Sequence, residues 1–329
     1  MKLLLLGANG QVGWELRRAL APLGEVTACD RQRADMSRPE TLAPLLRQCR
    51  PDVIVNAAAY TAVDKAETNE ADATLVNATS VGELATLAKE LDALLVHYST
   101  DYVFDGGAVG FQREDGQTAP LNVYGRTKLQ GERLIRASGC RHLILRTSWV
   151  YACRGRNFAK TMLRLACERD ELKVVVDQIG APTSAELIAD VSALMIQRLR
   201  HDPDFAVQAY GTYHLVAGGR TSWHEFTRFI IRTARGLGMR FRAEDARILP
   251  IRAAEFPAAA ARPASSLLDT HKLQSTFGLQ LPHWQEHAER MLHEVVPVEV
   301  AARVANEHLD QALQRAESPS PIALATRRP

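Results

Sequence analysis

The chain has 329 residues, 46% apolar and 24% charged, an ordinary globular composition long enough for two lobes around a cleft. Its formal net charge of +2 lacks the basic excess of a nucleic-acid or anionic-membrane binder, so neither partner is expected. Five scattered cysteines, without a Cys-x-x-Cys spacing, read as reduced thiols and exclude a disulfide framework or a zinc site.

The first predicted strand, residues 3–6, runs straight into Gly7-Ala8-Asn9-Gly10-Gln11-Val12-Gly13 and then a helix-compatible segment. Glycines let the backbone turn tightly and approach a ligand, and the following helix offers free N–H groups to a pyrophosphate. Gly7, Gly10, Gln11, Val12 and Gly13 are therefore candidate cofactor residues; an ordinary tight turn is the alternative. No secretion leader precedes Gly7 and no apolar run approaches the roughly 18 residues that span a bilayer, so we expect a soluble cytoplasmic protein.

A second strand, 26–29, ends at Asp30, whose carboxylate could accept from ribose hydroxyls and favour NADH. Arg31 and Arg33 follow and could pair with a 2′-phosphate, favouring NADPH, so the two signals oppose each other. Asp35 and Met36 would bracket the adenine. After a third strand, 52–56, Ala59, Tyr60 and Thr61 would lie along the cofactor, or form a plain strand-end turn.

A helix is predicted over 80–91 and a fourth strand over 93–98, carrying His97 as a satisfied core histidine and leading from Tyr98 into Ser99-Thr100-Asp101. The helix over 123–137 begins with Tyr124-x-x-x-Lys128, two side chains one turn apart on one face. An ammonium there is expected to lower the phenol's pKa and tune it for proton exchange. The Thr100 hydroxyl can bond the same substrate oxygen, and such a trio protonates a carbonyl oxygen while hydride reaches its carbon. A fifth strand, 142–146, completes repeated βα units, which imply a Rossmann-type doubly wound parallel α/β sheet with ligands at the carboxyl strand ends.

Beyond residue 150 the pattern loosens. Helices are predicted over 157–169, 184–199 and 222–235, strands over 173–176 and 213–216, and a surface loop over 257–263. We divide the chain into a dinucleotide-binding domain (1–150), a smaller α+β substrate lobe (151–296) whose chain returns to the first, and an extension (297–329). That extension reads as one polar helix over 298–315 and a disordered tail over 318–329, with no motif.

Gly7-x-x-Gly10-x-x-Gly13, Asn56-Ala57-Ala58-Ala59, Ser99-Thr100-Asp101-Tyr102-Val103-Phe104 and Tyr124-x-x-x-Lys128 together resemble the extended short-chain dehydrogenases acting on nucleotide sugars. The likeness covers residues 1–296 and includes Arg146-Thr147-Ser148-Trp149-Val150-Tyr151, Asp177-Gln178-x-Gly180-x-Pro182-Thr183 and Arg262-Pro263. It implies NAD(P)H-dependent reduction of the C4 keto group of dTDP-4-dehydro-L-rhamnose, a step towards O-antigen and other surface polysaccharide, by a homodimer. Tyr124 would be the general acid, Lys128 its modulator and ribose anchor, and Thr100 a second bond to the keto oxygen.

The resemblance also implies substrate contacts at Thr100, Asp101, Trp149 and Arg262. Trp149 would stack on the deoxysugar or serve only the core; Arg262 would bind the diphosphate or be an ordinary exposed arginine. Related dehydratases usually carry a glutamate base after Thr-Asp, where this chain has Tyr102, so simple reduction requires nothing absent. Some relatives hold Mg²⁺ on carboxylates where subunits meet; the matching Glu15, Glu186 and Glu294 are otherwise solvated surface. Two rivals stand beside this reading: another nucleotide-sugar reductase or epimerase, and a non-enzymatic subunit resembling the regulatory one of methionine adenosyltransferase. A binding module has no need of a tuned acid.

Overall fold

Short apolar runs become six strands: β1 (Lys2–Leu6), β2 (Glu25–Cys29), β3 (Val53–Asn56), β4 (Leu94–Thr100), β5 (His142–Thr147) and β6 (Gly211–His214). The computed structural model describes residues 1–108 and 110–317. All six pair in parallel in the order β2-β1-β3-β4-β5-β6, so the strand order reverses between β1 and β3. A crevice opens at the carboxyl ends of the strands at such a point.

Alternation along each strand feeds two cores. Leu3, Leu5, Val53, Val55, Val96, Leu143 and Leu145 face one side, while Leu4, Leu6, Ile54, Leu95 and Ile144 face the other. The first side is covered by helices α1 (Gln11–Leu20) and α6 (Ala185–His201), which pack on each other, and the second by α2 (Leu42–Cys49) and α3 (Ser80–Glu90). Burial on both faces is why these strands read as continuous apolar runs. Helix α4 (Val123–Ser138) lies against α3 and β4, and α5 (Phe158–Glu168) against α7 (Trp223–Gly236). Because α6 and β6 come from beyond residue 150, the later chain returns to the first sheet.

Helix starts are set by side chains that accept otherwise orphaned N–H groups. Asn122, Asn157, Ser184 and Ser222 accept from Gly125, Lys160, Leu187 and Glu225, so three helices begin one residue later than the pattern suggested. The expected strand 213–216 is displaced to Gly211–His214 by its register against Leu143–Arg146. Helix α2 and the π-helical turn Leu75–Thr79 ahead of α3 were not anticipated.

The expected separate helix over 298–315 is instead the continuation of α8 (Trp284–Glu317), which runs through Pro297 without a break. Buried Val296 and half-buried Val300 keep the helix seated on the core across the proline. The tail over 318–329 lies outside the described residues. No described helix is long and apolar enough to cross a membrane.

Candidate active site

Along the carboxyl edge of the sheet, from β2 to β5, lies a cavity of about 1160 Å³. Its floor begins with the glycine turn. Gly7 has φ +75° and so close an approach to β3 that an added Cβ would meet the Ala58 nitrogen at 2.6 Å. Gly13 lies behind the turn, where a Cβ would meet the Gly7 carbonyl oxygen at 2.1 Å; it shapes the loop and is not among the cavity-lining residues. Gly10 caps α1 without a side-chain bond, leaving the first-turn N–H groups at Gln11 and Val12 beside the cavity. This cradle, which any larger side chain would fill, fits a dinucleotide pyrophosphate.

Asp30, Asp35, Met36, Ala59, Tyr60 and Thr61 line the same cavity. Asp30 Oδ1 accepts from the Gln32 and Arg33 nitrogens at 3.1 and 3.2 Å, so one oxygen braces the turn while Oδ2 holds only a 3.3 Å bond from Asn9. Arg31 lines the cavity but is paired with Asp35 at 3.3 Å, and Arg33 is not among the lining residues. Asn77 fastens the Tyr60 segment, accepting from its nitrogen at 2.9 Å and donating to its carbonyl at 3.1 Å.

Tyr98, Thr100, Asp101, Tyr124 and Lys128 converge at the middle of the cleft. Thr100 Oγ1 donates to Asp101 Oδ1 at 3.0 Å and accepts from the Tyr102 nitrogen at 3.2 Å. Its single proton is thus engaged, and bonding a keto oxygen requires release from Asp101. Burial raises the Asp101 carboxyl to about 6, against hydrogen bonds from Ser266 and Thr100 that work to lower it.

Tyr124 departs from expectation. Burial raises its phenol to about 12, reinforced by the Asp101 charge, while the neighbouring Thr100 hydroxyl works in the opposite direction. Lys128 does not lower it, because its amino group is buried and directed elsewhere: Nζ lies 2.6 Å from the Tyr98 carbonyl and 3.2 Å from His97 Nε2. Burial drops Lys128 to about 8, while the Glu132 charge raises it. A phenol held protonated at neutral pH is nevertheless the form that can donate a proton. Tyr102 stacks edge-on to Tyr124, with centroids 5.7 Å apart, where a dehydratase would carry its glutamate.

Trp149 lines the cavity with φ +49°, its ring stacked on Trp223 at 3.4 Å and 8°. Arg262 is not among the lining residues; its guanidinium pairs with Asp64 at 2.7 Å. Arg156 does line the cavity and has no ion pair among the described residues, so it is the better placed cation; sequence reasoning missed it, as it missed Trp223. Neither has a motif, and both come from elements that only the fold brings to the cleft.

Glu15, Glu186 and Glu294 do come together, since the charges of Glu186 and Glu294 both act on the titration of Glu15. Within one chain each is already engaged by a neighbouring side chain. Glu186 pairs with Arg290 at 3.0 Å, Glu294 with Arg290 at 3.7 Å and with the Cys153 thiol at 3.2 Å, and Glu15 with Arg18 at 3.6 Å. Among the described residues no group of three or more acidic, histidine or cysteine side chains could hold a metal.

Residues 1–296 match the family model described as RmlD substrate binding domain. The dTDP-4-dehydrorhamnose reductase of Shigella flexneri is 50% identical over 299 residues, 90% of this chain and 98% of that protein. That of Burkholderia thailandensis is 47% identical over 285 residues, 87% and 96% of the two chains. Among solved structures, the Bacillus anthracis dTDP-4-dehydrorhamnose reductase in complex with NADP superposes with a TM-score of 0.78 at 36% identity, covering 89% of this chain and 99% of the other.

Proposed function

This chain belongs to the RmlD substrate binding domain family, and on that premise we propose that it reduces the C4 keto group of dTDP-4-dehydro-L-rhamnose to give dTDP-L-rhamnose. It is an NAD(P)H-dependent oxidoreductase. The observation that carries the reading is the convergence of Thr100, Tyr124 and Lys128 on the cavity that the glycine turn opens.

A reduced nicotinamide supplies hydride to the C4 carbon when bound. The chain's residues do the rest. The α1 N-terminus and the glycine turn hold the pyrophosphate, and Asp30 and Arg31 meet the adenosine ribose, leaving NADH and NADPH both admissible. Tyr124, protonated at neutral pH, donates to the C4 oxygen as negative charge develops there. Thr100, turning its proton from Asp101 to the same oxygen, adds a second bond. Lys128 anchors the nicotinamide ribose, and Trp149 bounds the sugar. Tyr102, a phenol above its usual range through burial and the Asp101 charge, offers no base for dehydration.

We read the protein as cytoplasmic, because its five cysteines, scattered and without a Cys-x-x-Cys spacing, suit a reducing compartment. Its partner is the dTDP-sugar, with no nucleic acid or membrane, and its assembly is a homodimer, which light scattering on the purified chain checks. The function is tested by mixing the protein with NADPH or NADH and dTDP-4-dehydro-L-rhamnose and following nicotinamide absorbance. Stoichiometric loss with formation of dTDP-L-rhamnose is expected; no oxidation with either cofactor would overturn it.

A further inference from the structure

His97 is fully buried on β4, and the reaction described above makes no use of it. Its hydrogen bonds leave little freedom. Asn56, at the end of β3, accepts from the Ala58 nitrogen through Oδ1 at 3.1 Å, which fixes the side-chain amide: flipped, its NH₂ would face that N–H. Asn56 Nδ2 therefore donates to His97 Nδ1, 3.1 Å away. A neutral imidazole whose Nδ1 accepts must carry its proton on Nε2. That proton faces Lys128 Nζ at 3.2 Å.

An ammonium has three donors and no acceptor, so a fully protonated Lys128 would meet the His97 N–H donor to donor. A neutral amine fits: its lone pair accepts from Nε2–H, one N–H donates to the Tyr98 carbonyl at 2.6 Å, and the other is left for the cleft. We propose that Asn56 and His97 form a positioning pair that fixes the Nε2–H tautomer and thereby weakens the hold of Lys128 on its third proton. The inference deepens the proposed reductase and rests on that reading for the role of Lys128.

Burial keeps His97 well below the usual histidine range, with the Lys128 charge acting in the same direction, so the ring stays neutral. The charged group facing Nζ from its own helix is Glu132, which favours the ammonium; it is fully buried and its charge is shared with Arg146 at 2.7 Å. Tyr124, one turn back, is neutral, and β3 contributes only the uncharged Asn56. The consequence is a lysine able to release and regain a proton close to neutrality, as the acid beside it must be recharged after each turnover.

Two measurements test this. Long-range ¹H–¹⁵N spectra of histidine-labelled protein, with the His97 signal identified by its loss in His97→Gln and cross-checked by its change in Asn56→Asp, should show the Nε2–H pattern. An Nδ1–H pattern overturns the proposal. The pH dependence of NADPH affinity, read by nicotinamide fluorescence with no sugar present, should have an alkaline limb that moves up by about one unit in both variants. In each, an oxygen or an unprotonated nitrogen would then face Nζ. A shift in Asn56→Asp alone overturns the proposal, because the added charge and not the tautomer would be acting; no shift in either does the same. Since neither readout uses the sugar, an enzyme that bound NADPH but failed to reduce the dTDP-sugar would sink the function and leave this inference standing.

Discussion

In the proposed mechanism Tyr124 supplies the one proton that the reduction needs. Phenylalanine there should leave NADPH affinity nearly unchanged while turnover falls by about 10²-fold or more; near-normal turnover would mean another group is the acid. Asp101 carries a different signature. Its carboxyl titrates near 6 when folded against an ordinary 3.8, so the folded state binds the extra proton and gains stability that is lost as pH rises from about 4 to about 6. An amide in its place cannot titrate. The stability of Asp101→Asn relative to the parent should therefore grow across that window, by about 3 kcal/mol, in urea melts at several pH values. A flat difference would show that the buried acid is not raised. Asp30→Ala removes a carboxylate that, on the proposed reading, accepts from the ribose and repels a 2′-phosphate, while Arg31 remains on the cavity wall. The ratio of kcat/KM for NADPH to that for NADH should rise, and an unchanged ratio would locate cofactor choice elsewhere.

Between elements, Trp149 stacks on Trp223 and joins the segment after β5 to the start of α7, and the proposed sugar side of the cleft depends on that contact. Gly180 makes room for it: an added Cβ would sit 2.6 Å from the Trp149 ring. Gly180→Ala should displace that indole and raise KM for the dTDP-sugar several-fold, leaving NADPH affinity as it was, because the glycine turn lies on the other side of the cavity. If sugar KM stayed constant, Trp149 would be a core residue and nothing more. Element boundaries obey the same logic of local satisfaction. A serine or asparagine that completes the N–H count decides where α4, α5, α6 and α7 start. This kind of signal can be read from residue type, whereas the π-helical turn at Leu75–Thr79 has none.

For the whole molecule, the extension is less separable than its composition suggests, since α8 carries Val296 into the core and Val300 against it. Truncation after Ala301 keeps both contacts. We expect it to preserve activity and cost at most a degree or two of melting temperature, with the mass in solution unchanged by light scattering. Cutting after Val296 should cost more, because it removes Val300. A drop in mass for the longer variant would mean that the extension joins subunits.

Much of this was legible in the chain itself. Apolar runs of strand length, with glycine turns and helical segments between them, determine a doubly wound parallel sheet, since few other arrangements bury both faces of every strand. The Gly7 turn and the Tyr124–Lys128 pair are local patterns, fixed by spacing within one or two elements. What no local pattern contains is the environment of those groups. Depth of burial raised Tyr124 where a neighbouring ammonium was expected to lower it, and the register of Asn56 beside His97 set what Lys128 can do. Arg156 and Trp223 reached the cleft, and Arg262 was drawn to Asp64, through contacts between residues far apart in the chain. Charge and tautomer depend on desolvation and on partners across strands, and only the folded chain brings those partners together.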